Sequence, residues 1–263
     1  QLLIFGELAT TGDVGKLAAD ISNVTYSQML DNLYGILDGN GHKITLNMDN
    51  PGSSTALINS MKAKAEVRNL TIDGTIATDG QYAASIAVET LENARISNVT
   101  SSVNFTCSIL GDGTHGGLVA LIHGYTFIDN CLFCGTMNGT ADSCGGLIGW
   151  NTQCSRVTNS LQAADITLAT KNSCTIGRNP VNMLVMNTYY KTPFGDAQGT
   201  LATEESLKNG EICYLLNQGN TENPAWYQNI GEDPYPVLDA THKKVGKAQD
   251  GSYTNNESLF FEE

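Results

Sequence analysis

The residues best suited to chemistry in this 263-residue chain are its seven cysteines and four histidines. Cys131-Leu132-Phe133-Cys134 has the spacing of a zinc-binding pair, with Cys144 and Cys154 downstream. A tetrahedral site needs a second close pair or histidines at finger spacing, and neither follows. On a strand, residues three apart project to opposite faces, so Cys131 and Cys134 cannot grip one ion. An odd number of thiols leaves at least one unpaired, and the spacing of Cys144 and Cys174 permits a disulfide. His42 lies in the turn sequence Gly41-His42-Lys43, and His115 and His123 have no evident partner. No Ser-His-Asp set or phosphate-binding loop stands out. The chain therefore offers no catalytic residue, metal site or cofactor site to this reading.

Carboxylates and aromatics remain. Enzymes that cleave polysaccharides set two carboxyl groups ~5–10 Å apart, so that one can protonate the leaving group. Lyases add a basic residue beside an acidic cluster. For binding without chemistry, flat rings that stack on sugar faces are the natural anchors, and Tyr189, Tyr190, Trp226 and Tyr227 are the candidates. Packing in a core or cap is the competing role, above all for Trp226.

Five segments of like layout must position these residues. They are Val67-Arg68-Asn69-Leu70, Ile96-Ser97-Asn98-Val99, Ile128-Asp129-Asn130-Cys131, Val157-Thr158-Asn159-Ser160 and Val185-Met186-Asn187-Thr188, with asparagines 29, 32, 29 and 28 residues apart. A period of this size marks an array whose units cannot each bury an apolar face alone. Two residues before each asparagine stands a β-branched aliphatic. Seven residues after it stand Ile76, Phe105, Met137, Ile166 and Phe194. About twelve before it stand Leu57, Ile86, Leu118, Leu147 and Ile176. The longer step places an insertion at Ser108–Gly113, read as an outward turn-like loop.

Alternating apolar and polar residues, β-branched enrichment and 27 glycines make the units strands. Stacked at ~4.8 Å per coil, they predict an all-β, right-handed parallel β-helix, a β-solenoid. Asn69, Asn98, Asn130, Asn159 and Asn187 then sit at a corner between sheets, where amides in register form a structural ladder. Asn69 and Asn98 also open Asn-x-Thr sequences, by-products of that ladder. Cys131 shares a column with Leu70, Val99, Ser160 and Thr188 and reads as a small buried filler.

Within this frame, no acids stack in neighbouring coils and no Arg or Lys lies beside an acidic cluster. Glu66 meets Arg95 as a surface ion pair. Four parts are expected. Residues 1–50 are an N-terminal cap with irregular first coils, Lys16–Ile21 being one strand and 34–44 a strand, tight turn and strand. Residues 51–198 are the repeats. Residues 199–246 are a C-terminal cap with one helix from Thr203 to about Leu216, crossing Gly210. Residues 247–263 are a frayed tail or linker.

A net charge of −13 disfavours nucleic acid and anionic membranes as partners. No apolar run is long enough to span a bilayer. The chain is expected to be exported, extracellular or cell-surface and monomeric, its signal peptide absent from this sequence.

The run Tyr34-Gly35-Ile36-Leu37-Asp38-Gly39-Asn40-Gly41-His42-Lys43-Ile44 resembles the opening of bacterial surface proteins with GLUG repeats. Gly145-Gly146-Leu147-Ile148-Gly149 resembles the core that names the motif. Gly116-Gly117-Leu118-Val119 follows it with Ala120 at the closing glycine, and 55–58, 84–87 and 174–177 are degenerate copies. Leu207 to Leu238 resembles a trailer of such repeats. The resemblance covers roughly residues 16–245 and implies a non-catalytic, adhesin-like module. Its expected partners are an extracellular glycan or a host or bacterial surface protein. A polysaccharide-degrading β-helix is the first alternative, and a structural stalk the second.

Overall fold

A computed structural model describes residues 2, 5, 6, 9–52 and 54–261. It is a β-solenoid of about six turns, built from parallel strands. The first coil holds β1 (Val14–Lys16) and β2 (Ile21–Val24), and the second β3 (Leu30–Leu33), β4 (Ile36–Asp38) and β5 (Lys43–Asp49). The third holds β6 (Ile58–Met61) and the long β7 (Glu66–Thr78), and the fourth β8 (Ala87–Thr90), β9 (Ala94–Ser101) and β10 (Asn104–Asp112). Next come β11 (Val119–Ile122), β12 (Thr126–Phe133) and β13 (Thr136–Asp142), then β14 (Ile148–Asn151), β15 (Ser155–Thr158), β16 (Leu161–Gln162) and β17 (Asp165–Ile166). The last coil is reduced to β18 (Met183–Met186) and β19 (Tyr189–Tyr190), on which β20 (Thr200–Leu201) pairs.

The columns read from the repeat are the core. Ile76, Phe105 and Met137 pair in register, as do Val67, Ile96, Ile128 and Val157, and each is at most 1% exposed. Leu57, Ile86, Leu118, Leu147 and Ile176 are fully buried. Burying one such aliphatic side chain contributes roughly 1.5–3 kcal/mol, and a solenoid repeats that gain in every coil. Gly146 is small because its neighbours leave no space: a Cβ there would overlap the Thr175 carbonyl of the next coil.

Several expectations need correction. Residues 14–49 already pair with the coils that follow, β1 on β4 in register and β2 on β5 with a shift between Ile21 and Val24. Lys16–Ile21 is two strands separated by a bend rather than one. The insertion is not a free turn. Strand β10 runs through it, and a bulge between Cys107 and Gly111 absorbs two extra residues, since Thr106 pairs with Asn138 but Asp112 with Asp142. Pairing between coils continues wherever backbone groups can still meet, so the extra length goes into a bulge.

The C-terminal helix divides into Glu204–Lys208 and Glu211–Leu216 because Gly210 adopts φ 93° between them. Thr203 caps the first, accepting from the Ser206 amide at 3.0 Å. The tail also has structure. Gly246–Lys247 pairs antiparallel with Tyr253–Thr254, and Asn255 donates to the Gln228 and Lys244 carbonyls at 2.7 and 2.8 Å. Residues 262–263 lie outside the described part.

Candidate functional site

The five repeat asparagines occupy one corner, all left-handed, with φ between 43° and 52°. A short polar side chain tolerates that conformation better than other L-residues do. Asn98 donates to the Asn69 side-chain oxygen at 3.3 Å and Asn187 to that of Asn159 at 2.8 Å. Between them the Asp129 carboxylate intervenes, accepting from Asn130 at 2.9 Å and from Asn159 at 3.0 Å. The stack thus falls into two sets, Asn69 with Asn98 and, through the acid, Asn130 with Asn159 and Asn187, and Asn69 donates to Asp38 at 3.1 Å.

The C-terminal segment docks on this corner. The Trp226 indole N–H donates to the Asn130 side-chain oxygen and the Asn159 carbonyl, both at 3.1 Å. Asn187 donates to the Leu215 and Leu216 carbonyls at 2.9 and 3.3 Å. Leu132, Leu161, Ala163 and Tyr189 on the outside of the coils form one apolar cluster with Leu207, Ile212, Cys213, Leu216 and Trp226. The cap therefore lies against the flank of the solenoid.

Burial, under the cap for Trp226 and Tyr189 and in the main core for Tyr190, takes three of the four expected anchors off the surface. Trp226 is 0% exposed, Tyr189 9% and Tyr190 7%, and Tyr227 is half-buried with its backbone paired to Val237. The reason is physical: the flank of a solenoid coil is apolar where a cap must cover it, and large rings cover it best. Cys131 is fully buried in the main core, whereas Cys134 packs in the cap cluster with Tyr235, its thiol donating to the Ser101 carbonyl at 3.6 Å. All seven cysteines are free, Cys144 and Cys174 among them.

The second place where chemistry collects is the insertion. Asp112 and Asp142 are cross-strand partners, so two acids do stack in adjacent coils. Arg178 reaches back to them. Its guanidinium grips Asp112 at 2.8 and 3.3 Å, donates to the Ser143 carbonyl and lies 4.3 Å from the Trp150 ring centre. Lys171 sits 3.4 Å from Asp142. The expectation of no stacked acids and no nearby cation is therefore corrected, because the bulge alters the register that produced it.

Asp112 is held as an ion. Burial pushes the Asp112 carboxyl up, but the hydrogen bonds from Arg178 and Thr114 outweigh it and leave the group below the ordinary carboxylate range. Such a group cannot serve as the proton donor that glycoside cleavage needs. Beneath it, His115 is fully buried with neither ring nitrogen hydrogen-bonded, and burial lowers its pKa to about 4. Burial raises the neighbouring Cys144 thiol to about 12, so it is no ready nucleophile. Among the described residues no group of three or more metal-ligating side chains converges.

The third place is a sheet face. Three residues before each corner asparagine the side chains point outward, in register: Glu66, Arg95, Phe127, Arg156 and Leu184. The expected Glu66–Arg95 pair is replaced. Arg68 takes Glu66 at 3.5 Å and Asp38 at 3.1 Å, and Arg95 lies over the Phe127 ring, 4.5 Å from its centre. A guanidinium on a ring face is attracted by the ring quadrupole, which fixes the cation without neutralising it. The chain has four arginines, and among the described residues their ion pairs belong to Arg68 and Arg178. Arg95 and Arg156 stay exposed and uncompensated, and Tyr125, 51% exposed, stands two residues before Phe127 on the same face. The sequence shows the Glu66–Arg95 step of this column, and counting back from the other asparagines extends it to Phe127, Arg156 and Leu184.

Fold and surface together define a parallel β-solenoid flanked on one side by a C-terminal cap. No protein-family model matches the chain, and no curated protein matches it. Among solved structures it is similar to a candidate immunoglobulin A1 protease from Bacteroides ovatus. The two share 18% identity at a TM-score of 0.61, covering 87% of this chain and 86% of that one. At that identity the likeness is one of fold.

Proposed function

We propose that the chain is a non-catalytic recognition module of a secreted or surface-anchored protein, of the GLUG-repeat kind, that binds carbohydrate or protein. The observation that carries the reading is the open face around Phe127. Two uncompensated arginines, one ring held between them in register and an exposed tyrosine lie on a flat sheet built of paired strands. Flat faces with side chains at fixed heights suit extended ligands.

A polysaccharide-cleaving reading is the alternative, and it would have to use Asp112 and Asp142. Their pairing with Arg178 and Lys171 counts against it. A protease reading draws only on the name of the Bacteroides ovatus neighbour. Among the described residues no histidine ring nitrogen is hydrogen-bonded to a Ser, Thr or Cys side chain.

The test is a panel of glycans and surface proteins read out for both binding and release of reducing ends. Binding without release supports recognition. Release that is lost in Asp112→Asn or Asp142→Asn would replace it with catalysis.

A further inference from the structure

We infer that the Arg95–Phe127–Arg156 column binds an anionic polysaccharide, one bearing sulfate or carboxylate groups along its chain. The inference rests on the recognition reading above and names its ligand class.

In a chain of net charge −13, this face carries two arginines with no carboxylate partner among the described residues. A guanidinium presents paired donors that match the oxygens of a sulfate or carboxylate. Phe127 lies between the two in the column and holds Arg95 against its ring. The ring thereby limits the conformational freedom that binding would otherwise remove.

Arg95 and Arg156 are separated by two coils, ~9.6 Å along the axis at the usual strand spacing. Anions that recur once per disaccharide along an extended glycan lie about that far apart. Such a chain would run along the solenoid axis and meet both cations at once.

The nature of the face decides between a glycan and an acidic peptide. An extended peptide gains most of its affinity by adding to a free strand edge. Strand β12 is paired on one side with β9 and on the other with β15, so the face offers no free edge there. It offers instead the exposed Tyr125 ring, which can lie against a sugar.

Dextran sulfate and unmodified dextran share a backbone and differ in charge, and calorimetric titration of the full chain with both tests the inference. Poly-L-glutamate supplies the peptide arm. The expected result is binding of dextran sulfate, with neither dextran nor poly-L-glutamate competing. Arg95→Ala and Arg156→Ala should each weaken binding on the order of tenfold, the value of one charge-assisted hydrogen bond. Lys247→Gln removes an equal charge from the C-terminal hairpin and should leave affinity unchanged. Unaltered circular dichroism and melting of the arginine variants show that the fold is intact.

Equal affinity in the arginine variants, equal loss in Lys247→Gln, or tighter binding of poly-L-glutamate would overturn the inference. If dextran or a surface protein binds while dextran sulfate does not, the ligand class is wrong and recognition survives. If nothing in either panel binds, both fall.

Discussion

Two aromatic regions on the outside of the same solenoid have opposite fates. Around Trp226 and Tyr189 the rings are covered, with the indole tied to Asn130 and Asn159 and the phenol packed under the cap. Around Phe127 and Tyr125 the rings stay on the surface, and arginines rather than aliphatics surround them. Ring content alone does not mark a binding face. The neighbouring column decides: where it is Leu132 and Leu161 a cap must land, and where it is Arg95 and Arg156 water or a ligand must.

The contrast can be broken most forcefully at Trp226. Trp226→Ala empties a fully buried site and strands two acceptors, so a loss of roughly 3–5 kcal/mol is expected in urea unfolding. Circular dichroism should show the strands retained at low denaturant, because the coils keep their own core. Phe127→Ala, on the open face, should cost only about 1–2 kcal/mol, from the cation–π contact and the part-buried ring.

A second effect separates the inner side of the insertion from its surface. His115 has its pKa lowered to about 4 by burial, against an ordinary 6.5. The folded chain therefore binds fewer protons than the unfolded one between those values. Stability should be fully present above pH 6.5 and fall as pH drops toward 4, by roughly 3 kcal/mol at most. His115→Phe should flatten that slope without lowering stability at neutral pH, since no hydrogen bond to the ring is lost. Asp112, also depressed, adds a further loss only below the ordinary carboxylate range.

The smallest contrast lies within the asparagine corner. Asn159→Ala removes links to Asn187, Gln218 and Asp129 and places alanine at φ 48°. Asn98→Ala incurs the same backbone strain but loses one long bond to Asn69. The strain costs ~1–2 kcal/mol in both, and the lost bonds should make Asn159→Ala worse by about 1 kcal/mol in chemical melts.

Much of this architecture is legible in the chain. Inward columns repeat because every coil meets the same core, so Val67, Ile96, Ile128 and Val157 declare their register before any coordinates. The corner asparagines declare themselves for the same reason. The Asp112–Asp142 pairing does not, because a bulge and one further residue absorb the insertion, shifting the count from 32 to 30 to 29 within one coil. Arg178 is farther out of reach, joined to an acid 66 residues earlier by a side chain that crosses two coils. Trp226 reads as cap or ligand anchor from sequence, and only its partners at Asn130 and Asn159 separate the two. The arginine column was readable, three residues ahead of each asparagine, but demands attention to outward positions that no core constrains.

Arginine-selective labelling with phenylglyoxal, read by peptide mass spectrometry with and without dextran sulfate, tests the central claim most directly. The open face predicts fast modification of Arg95 and Arg156, slow modification of Arg178, and protection of the first two by the glycan. Equal labelling of all four arginines, or no protection at Arg95 and Arg156, would contradict it.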